Sequence, residues 1–300
     1  MHMIVTLIAA EAGDRLSESA ADRFRQTVAD IAGAAAAPAD WLNPGIACDI
    51  AVAADDIDRM RAAIREAGAD APFDIVVQPA EGRRKSLLIA DMDSTIVTSE
   101  TLDELAGHAG LKDRVAAITE RAMRGEIDFK GALHERVAML TGLPEAALAD
   151  TLAGIELTPG AKTLVRTMRA SGAYTALVSG GFGYFTSRIA AACGFHEDRA
   201  NRLLIADGVL TGRVGEPILD RESKLATLQE LAASKNVPLS STMATGDGAN
   251  DLPMIQAAGL GVAFRAKPAV EEAAPAAIRH GDLTALLYLQ GYRRPQFVED

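Results

Sequence analysis

Residues 87–95 read LLIADMDST, a run of four apolar residues followed at once by acidic and hydroxyl residues. An uninterrupted apolar run of this length is typical of a strand buried on both faces of a sheet. Asp91 and Asp93 fall where this strand ends, and a turn at that point would aim both carboxylates at one place. Two nearby carboxylates also occur in many solvated acidic turns, so the remaining sequence has to decide between a site and a surface turn.

Two further apolar runs end in the same way. Residues 174–178 lead into Ser179 and Gly180, and residues 242–245 lead into Gly246 and Asp247. The other elements predicted in this part of the chain are helices at 158–172 (with Thr158 as N-cap), at 184–193 and from 250 onward, and a last short strand at 260–264.

Alternating strands and helices predict an α/β fold with a Rossmann-like parallel sheet covered by helices on both faces. Ligands bind such sheets at the carboxyl ends of the strands. The polar residues that follow the three apolar runs are therefore expected to meet at one edge of the sheet.

The rest of the chain divides into a cap and an N-terminal domain. Residues 99–157 are largely helical in pattern and leave the sheet just after Asp93, so we expect them to form a cap over the strand ends. The elements predicted before the sheet are strands at 3–9, 45–53 and 73–78 and helices at 15–34 and 56–66. This order predicts a small α+β, ferredoxin-like domain. With residues 79–85 as a polar linker, the predicted domains are 1–80 and 86–300, with the cap at about 99–157.

The charge balance narrows the choice of function. The 300 residues include 30 basic and 41 acidic side chains, and the formal net charge is -11. This argues against a general affinity for nucleic acid or anionic membranes, which favour clustered lysine and arginine.

No apolar stretch approaches the roughly 20 residues of a membrane helix. The apolar residues 3–10 do not fit a secretory signal, and Cys48 and Cys193 are expected to be free buried thiols. We therefore expect a cytoplasmic protein.

Four motifs together resemble a known family. DMDST at 91–95, SGGF at 179–182, Lys224 and GDGAND at 246–251 occur in the order and spacing of the haloacid dehalogenase-like phosphohydrolases. Within that superfamily the chain is most similar to the phosphoserine phosphatases. The resemblance extends from about residue 86 to about residue 276, and it is specific because four separated motifs agree.

The resemblance implies roles for the acidic residues. Asp91 would be the nucleophile, and Asp93 the general acid and base. The side chain of Asp91, the backbone carbonyl of Asp93 and Asp247 would hold Mg²⁺. These residue types suit the chemistry, since Mg²⁺ prefers oxygen ligands and a carboxylate nucleophile divides a difficult hydrolysis into two easier displacements. A seryl oxygen also leaves poorly without a proton, and a positioned acid contributes a rate factor of roughly 10²–10⁴.

The resemblance also implies the groups that bind the phosphate. Ser179, the backbone amide of Gly180 and Lys224 would stabilise charge on the transferring phosphoryl group. Asn250 would lie in the site, and Asp251 further from the substrate. Because Asn250 and Asp251 start a predicted helix, helix capping is a second role that both of them can have.

Selectivity is expected to come from the cap. Phosphoserine carries an ammonium and a carboxylate beside its ester, and by resemblance Glu100 and Arg136 would bind them. Arginine grips a carboxylate bidentately. Phe129 matches an aromatic residue that closes over the substrate, and Met123 is a candidate for lining the same pocket. Surface ion pairing is the ordinary alternative for Glu100 and Arg136.

Three segments outside these motifs lead to further expectations. Residues 203–214 read as a hairpin with an Asp-Gly turn. His108, His134 and His196 have no spacing that suggests a zinc site. The N-terminal domain resembles amino-acid-binding regulatory modules in its element order, and its alternatives are ligand binding, formation of a homodimer and scaffolding.

Three functions follow from this reading. The first is magnesium-dependent hydrolysis of O-phospho-L-serine through an aspartyl-phosphate, as the last step of serine biosynthesis. The second uses the same site on another small phosphomonoester such as phosphohomoserine, or transfers the phosphoryl group to another alcohol. The third is a phospho-accepting receiver domain, against which Asp93 argues, because a receiver has no leaving alcohol to protonate.

Overall fold

The computed structural model describes residues 1–11, 13, 15–123 and 126–299, without the side chains of Met123 and Arg221. The described strands form two sheets, one antiparallel and one largely parallel. Cys48 and Cys193 are buried free thiols, as predicted. Within the described ranges, no helix combines the length and the apolar character needed to cross a membrane.

The antiparallel sheet belongs to the N-terminal part of the chain and has the strand order β2-β3-β1-β4. Its elements are β1 (His2–Ala9), α1 (Glu18–Ala32), β2 (Asp40–Asn43), β3 (Ala47–Ala53), α2 (Ile57–Ala67) and β4 (Phe73–Pro79). The predicted α+β domain is confirmed, but β2 was missed. This strand has four residues, of which only Leu42 is fully buried, so it lacks a readable alternation.

The second sheet has the strand order β11-β10-β9-β5-β6-β7-β8. Its strands are β5 (Leu87–Ala90), β6 (Tyr174–Phe182), β7 (Glu197–Ala206), β8 (Val209–Gly215), β9 (Thr242–Gly246), β10 (Leu260–Phe264) and β11 (Ala276–Ile278). Neighbouring strands run parallel except for the β7–β8 hairpin. The predicted parallel sheet and the hairpin are confirmed, whereas the expectation that β10 is the last strand is wrong.

Strand β5 lies in the middle of this sheet, and its burial explains its sequence. Leu88 packs into the hydrophobic core on one face, while Leu87 and Ile89 pack into a separate core on the other face. All three side chains are fully buried. Since apolar burial contributes roughly 25 cal/mol per Å², a central strand of this kind is strongly favoured to be apolar throughout.

Helices cover both faces of the parallel sheet. They are α7 (Ala161–Ala170), α8 (Gly183–Cys193), α9 (Arg221–Ser234), α10 (Leu252–Ala257), α11 (Pro268–Ala273) and α12 (Ala285–Leu289). The prediction that Thr158 is the N-cap of α7 is wrong. Gly160, with φ of 81°, takes that position. The backbone of Thr158 instead donates to the carbonyl of Ile96 at 2.9 Å, at the base of the inserted helices.

The insertion between β5 and α7 forms the predicted helices over the strand ends. They are α3 (Thr101–Gly107), α4 (Lys112–Met123), α5 (Phe129–Ala138) and α6 (Ala146–Gly154). Backbone bonds join the loop between α5 and α6 to the β7–β8 hairpin, from Gly142 to Leu210 at 2.8 Å and from Leu210 to Leu143 at 2.9 Å. The hairpin therefore supports the cap as well as the edge of the sheet.

The segment that joins the two sheets makes specific contacts. Arg83 binds both carboxylate oxygens of Asp49 at 2.5 and 3.1 Å. The same guanidinium donates to the carbonyls of Tyr288 and Leu289, at 3.1 and 3.0 Å. Helix α12 is completely buried at this junction. Residues predicted as a polar linker thus connect the N-terminal sheet to the end of the chain.

Candidate active site

Asp91 and Asp93 lie in a tight turn directly after β5. Asp91 follows the strand, and its Oδ1 accepts a hydrogen bond from the amide of Met92 at 2.8 Å. Ser94 adopts a left-handed conformation with φ of 54°. The turn keeps both carboxylates at the edge of the sheet, as the sequence predicted.

Lys224 reaches the same edge from helix α9. Its side chain is buried, and its Nζ lies 2.8 Å from Asp91 Oδ1 and 2.6 Å from Asp251 Oδ1. Burial lowers the pKa of this ammonium, but the charges of Asp251 and Asp91 outweigh burial, so the net shift is upward. Lys224 therefore carries a full positive charge between two carboxylates at neutral pH.

Three carboxylates crowd together beside Lys224. Oxygen atoms of Asp91, Asp247 and Asp251 lie within 4.8 Å of one another. Burial and the neighbouring carboxylates raise the pKa of Asp247 to about 8. The same two causes raise the pKa of Asp251 to about 7. A single lysine does not neutralise these three carboxylates. Their oxygen atoms are donors that suit a hard divalent cation.

The two oxygens of Asp251 already have partners. Lys224 binds Oδ1, and the amide of Gly248 donates to Oδ2 at 3.0 Å. Asp251 makes no side-chain cap to helix α10, although it occupies the N-cap position. Asp247 by contrast accepts a long hydrogen bond of 3.3 Å from Thr95. Asp91 and Asp247 are thus better placed than Asp251 to give an oxygen to a cation.

Asp93 is held between the cap and the sheet. Its Oδ1 accepts a bond from the amide of Thr101 at 2.8 Å, and its Oδ2 accepts one from Ser179 Oγ at 3.3 Å. Burial, followed by the charges of Glu100 and Asp91, raises the pKa of Asp93 to about 7. A carboxyl group with that pKa is able to hold or release a proton near neutral pH.

Glycines in the irregular end of β6, residues 179–181, leave space for the neighbouring side chains. A Cβ on Gly181 would lie 2.9 Å from Asp93 Oδ2, and a Cβ on Gly180 would lie 3.0 Å from the ring of Phe129. The amide of Gly181 donates to Ser179 Oγ at 2.8 Å. Phe129 therefore brings helix α5 of the cap into contact with this end of β6.

A cavity of about 790 Å³ lies between the cap and the sheet edge. The predicted residues that line it are Asp91, Asp93, Glu100, Phe129, Arg136, Ser179, Gly180, Asp247 and Asn250. Lys224 and Asp251 are completely buried and lie behind Asp91 as seen from the cavity. The side chain of Met123 lies outside the described part of the structure.

Glu100 and Arg136 both face this cavity, and the described atoms show no ion pair between them. Glu100 Oε1 accepts a bond from Ser94 Oγ at 2.7 Å, and burial raises the pKa of Glu100. Arg136 is buried, and its Nη1 donates to Thr119 Oγ1 at 2.9 Å. The Thr119 hydroxyl in turn lies 3.3 Å from Asp103 Oδ1. These surroundings differ from those of an ordinary exposed ion pair.

The motifs gave no indication of three residues that support the site. Thr119 and Asp103 hold Arg136 from within the cap, and Asn201 contacts Gly180 in the irregular end of β6. A polar residue in an otherwise mixed helix or strand gives only a weak signal in one sequence. These three residues reach the site only through the packing of the cap and the pairing of the strands, which a single sequence does not reveal.

Comparisons with known proteins agree with this geometry. A family model of haloacid dehalogenase-like hydrolases matches residues 88–256. A phosphoserine phosphatase of Streptomyces coelicolor is 44% identical over 255 residues, covering 84% of this chain but only 62% of that protein. A phosphoserine phosphatase of Streptococcus thermophilus is 48% identical over 199 residues, covering 66% of this chain and 93% of that protein.

One solved structure resembles almost the whole chain. It is a hydrolase of the same family from Salmonella enterica serovar Typhi, with a TM-score of 0.83 and 30% sequence identity. The alignment covers 96% of this chain and 98% of the other. The similarity therefore includes the N-terminal sheet, which lies outside the residues matched by the family model.

Proposed function

The chain belongs to the haloacid dehalogenase-like hydrolases, and we propose that it hydrolyses O-phosphoserine to serine and phosphate. The observation that carries the proposal is the composition of one cavity. Asp91 and Asp93 line its floor, while Glu100 and Arg136 face it from the cap side. The names of the phosphoserine phosphatases to which the chain is similar support the same substrate.

Mg²⁺ fits the acidic cluster as the metal of this reaction. Asp91 and Asp247 would hold it through their side chains, and Asp93 through its backbone carbonyl. The donors are all oxygen, and the carboxylates exceed the charge that Lys224 compensates. When bound, the cation would neutralise phosphate charge.

Asp91 acts as the nucleophile in the first half of the proposed reaction. One of its carboxylate oxygens forms a bond to phosphorus while the bond from phosphorus to the seryl oxygen breaks. Asp93 gives its proton to that leaving oxygen, which departs as the hydroxyl of serine. Ser179, the Gly180 amide and Lys224 stabilise the charge of the transferring group, directly or through Asp91. The product of this step is an aspartyl-phosphate on Asp91.

Water completes the reaction in the second half. Asp93, now ionised, takes a proton from a water molecule that attacks phosphorus, and the bond to Asp91 breaks. Phosphate leaves and both aspartates return to their starting states. One residue thus serves as acid and then as base, which requires a pKa near the working pH.

The cap selects the substrate in this proposal. Glu100 accepts the ammonium of phosphoserine, and the Arg136 guanidinium binds its carboxylate with two parallel hydrogen bonds. Phe129 covers the ester from above Gly180 and excludes water from the first half of the reaction. Asn250 adds a polar contact to the phosphate, and Asp251 fixes Lys224 from behind.

The proposal also includes the division of the chain into domains and a location in the cytoplasm. Residues 1–80 and 86–300 would be the two domains, with residues 99–157 as the cap. Two buried reduced thiols suit the cytoplasm, where thiols stay reduced. A regulatory or dimer-forming N-terminal domain would remain compatible with the catalytic arrangement.

The test is phosphate release from O-phosphoserine, with and without Mg²⁺, by the wild type and an Asp91→Asn variant. Asp150→Asn, an exposed change in α6 of the cap, is the matched control. We expect magnesium-dependent release that the Asp91 variant loses and the control retains. Release from other phosphomonoesters alone would contradict the substrate, and release by the Asp91 variant at the wild-type rate would contradict the mechanism.

A further inference from the structure

Two parts of the phosphate site come from separate segments of the chain. Ser179 and Gly180 follow the regular part of β6, whereas Lys224 lies in the first turns of α9. Asp220 starts that helix, and its carboxylate accepts hydrogen bonds from the amides of Glu222 and Ser223, both at 3.1 Å. The catalytic geometry depends on how these two segments are held relative to each other.

The side chain of Asn201 joins them. Its Nδ2 donates to the carbonyl of Gly180 at 2.8 Å and to the carbonyl of Leu219 at 3.2 Å. Its Oδ1 accepts from the amide of Leu219 at 2.7 Å. Leu219 directly precedes Asp220, so one buried amide connects the irregular end of β6 to the start of α9, the helix that carries Lys224.

The strand pairing shows why this connection is needed. Val178 of β6 pairs with Arg199 of β7, but the next paired residue of β6 is Phe182, opposite Asn201. The intervening residues 179–181 leave the regular ladder, which makes their polar groups available to the cavity. The Asn201 side chain binds the Gly180 carbonyl within this irregular segment, where the backbone pairing does not.

The chemistry of the contacts requires a carboxamide. Asn201 uses two N–H donors and one carbonyl acceptor, and each meets a backbone group of the opposite kind. A flipped amide would place a donor against the Leu219 amide. Because the residue is only 2% exposed, water is not available to replace these partners. An aspartate would keep the shape and lose both donors.

We propose that Asn201 is a positioning residue for the phosphoryl transfer. It sets the irregular segment at residues 179–181 of β6 against the helix that carries Lys224. The inference rests on the proposed function, and it adds a residue that does not line the cavity to the machinery of the reaction. Its effect is on rate more than on substrate binding, because Glu100 and Arg136 of the cap are untouched.

The test compares two isosteric changes of buried amides, Asn201→Asp and Gln290→Glu. Gln290 is 1% exposed, accepts from the amide of Lys85 at 3.1 Å and donates to the carbonyl of Leu286 at 3.1 Å, away from the cavity. Both variants lose a donor to a buried carbonyl. The readouts are the melting temperature, kcat, KM and inhibition by orthovanadate, an analogue of the pentacoordinate phosphoryl group.

We expect kcat of Asn201→Asp to fall about 100-fold relative to Gln290→Glu, since a misplacement of about 1 Å has an effect of that order. KM should change little, vanadate inhibition should weaken with kcat/KM, and the melting temperatures should fall together. Equal kcat values in the two variants well below their melting temperatures would overturn the proposal. If Asn201→Asp does not fold, Asn201→Ser, which keeps one donor, gives the same comparison.

Failure of the proposed function can be separated from failure of this inference. A wild type that hydrolyses p-nitrophenyl phosphate but not phosphoserine would contradict the substrate, and the variants would then be compared on p-nitrophenyl phosphate. A selective loss of kcat there still supports the role of Asn201. A wild type without activity on any ester would overturn both.

Discussion

Replacing Lys224 with methionine tests how the charges of the site are balanced. Methionine keeps much of the length and apolar volume of lysine but removes the ammonium. The side chain is 1% exposed, and its Nζ contacts Asp91 at 2.8 Å and Asp251 at 2.6 Å. The variant therefore leaves two buried carboxylates without their shared cation.

This geometry predicts how far the variant should lose stability and how far it should lose turnover. Removing one partner of a buried ion pair lowers the free energy of unfolding by about 3–5 kcal/mol. At about 2–4 °C per kcal/mol for a domain of this size, the melting temperature should fall by roughly 10 °C. Loss of a group that stabilises transferring charge should lower kcat by about 10²–10³.

Mg²⁺ distinguishes this explanation from a simple loss of stability. Because Lys224 and the cation compete for the charge of the same Asp91 carboxylate, Mg²⁺ should raise the melting temperature more in the variant than in the wild type. It should not restore turnover. Thermal unfolding in EDTA and in saturating Mg²⁺, together with phosphate release, measures both effects.

Lys112→Met provides a matched control in the cap. Lys112 is 52% exposed and pairs with Glu104 at 2.8 Å, so its loss should leave the melting temperature close to that of the wild type. A Lys224→Met variant with turnover within about fivefold of the wild type would refute the reasoning, because the expected loss is much larger. An unchanged melting temperature in EDTA would refute it as well.

Three other predictions concern recognition, backbone space and the junction of the two sheets. Arg136→Met should raise KM for phosphoserine about 10–100-fold, the equivalent of a lost charged hydrogen bond, while turnover of phosphoethanolamine, which lacks the carboxylate, should change little. Gly246→Ala should lower both activity and melting temperature, because the new Cβ would lie 2.4 Å from the carboxyl carbon of Asp251. The control Gly107→Ala should leave both quantities close to wild type, because its Cβ would meet no atom within 4 Å. Arg83→Met should lower the free energy of unfolding by about 3 kcal/mol, the low end of the range for a buried pair, because the Arg83 side chain is 12% exposed. Thermal unfolding should show this loss, and kinetics should show an unchanged kcat well below the melting temperature.

The central part of the fold was readable because its signals are local. Strand β5 is apolar at every position, and it ends where the sheet ends, so Asp91 and Asp93 could be placed before the structure was known. The same reasoning placed Ser179 and Asp247 at neighbouring strand ends. In a parallel sheet these local signals suffice, since topology brings the carboxyl ends of the strands together.

The details that the sequence did not give depend on partners distant in the chain. Strand β2 has too few buried residues to show a pattern, and it forms by pairing with β3. Thr158 has the side chain of a good N-cap, yet its backbone is used at the base of the cap. Asp251 occupies a helix start, but Lys224 and Gly248 draw its carboxylate away. In each case a tertiary contact overrides the local preference.

An acidic protein can bind the proposed anionic substrate only if the charges of the site are arranged to attract it. Among the described residues that line the cavity or lie directly behind it, carboxylates outnumber cations. The carboxylates are Asp91, Asp93, Glu100, Glu126, Asp128, Asp220, Glu222, Asp247 and Asp251, and the cations are Lys130, Arg136 and Lys224. Lys224 is already shared by two carboxylates, so only part of its charge is left to act on a phosphate. In the proposed reaction a divalent cation supplies the rest of the attraction. Burial, followed by the charges of Asp91 and Asp251, raises the pKa of Asp247 to about 8. Arg136 lies apart in the cap and remains available for a second negative group, which is why the cavity suits a phosphate ester that also carries a carboxylate.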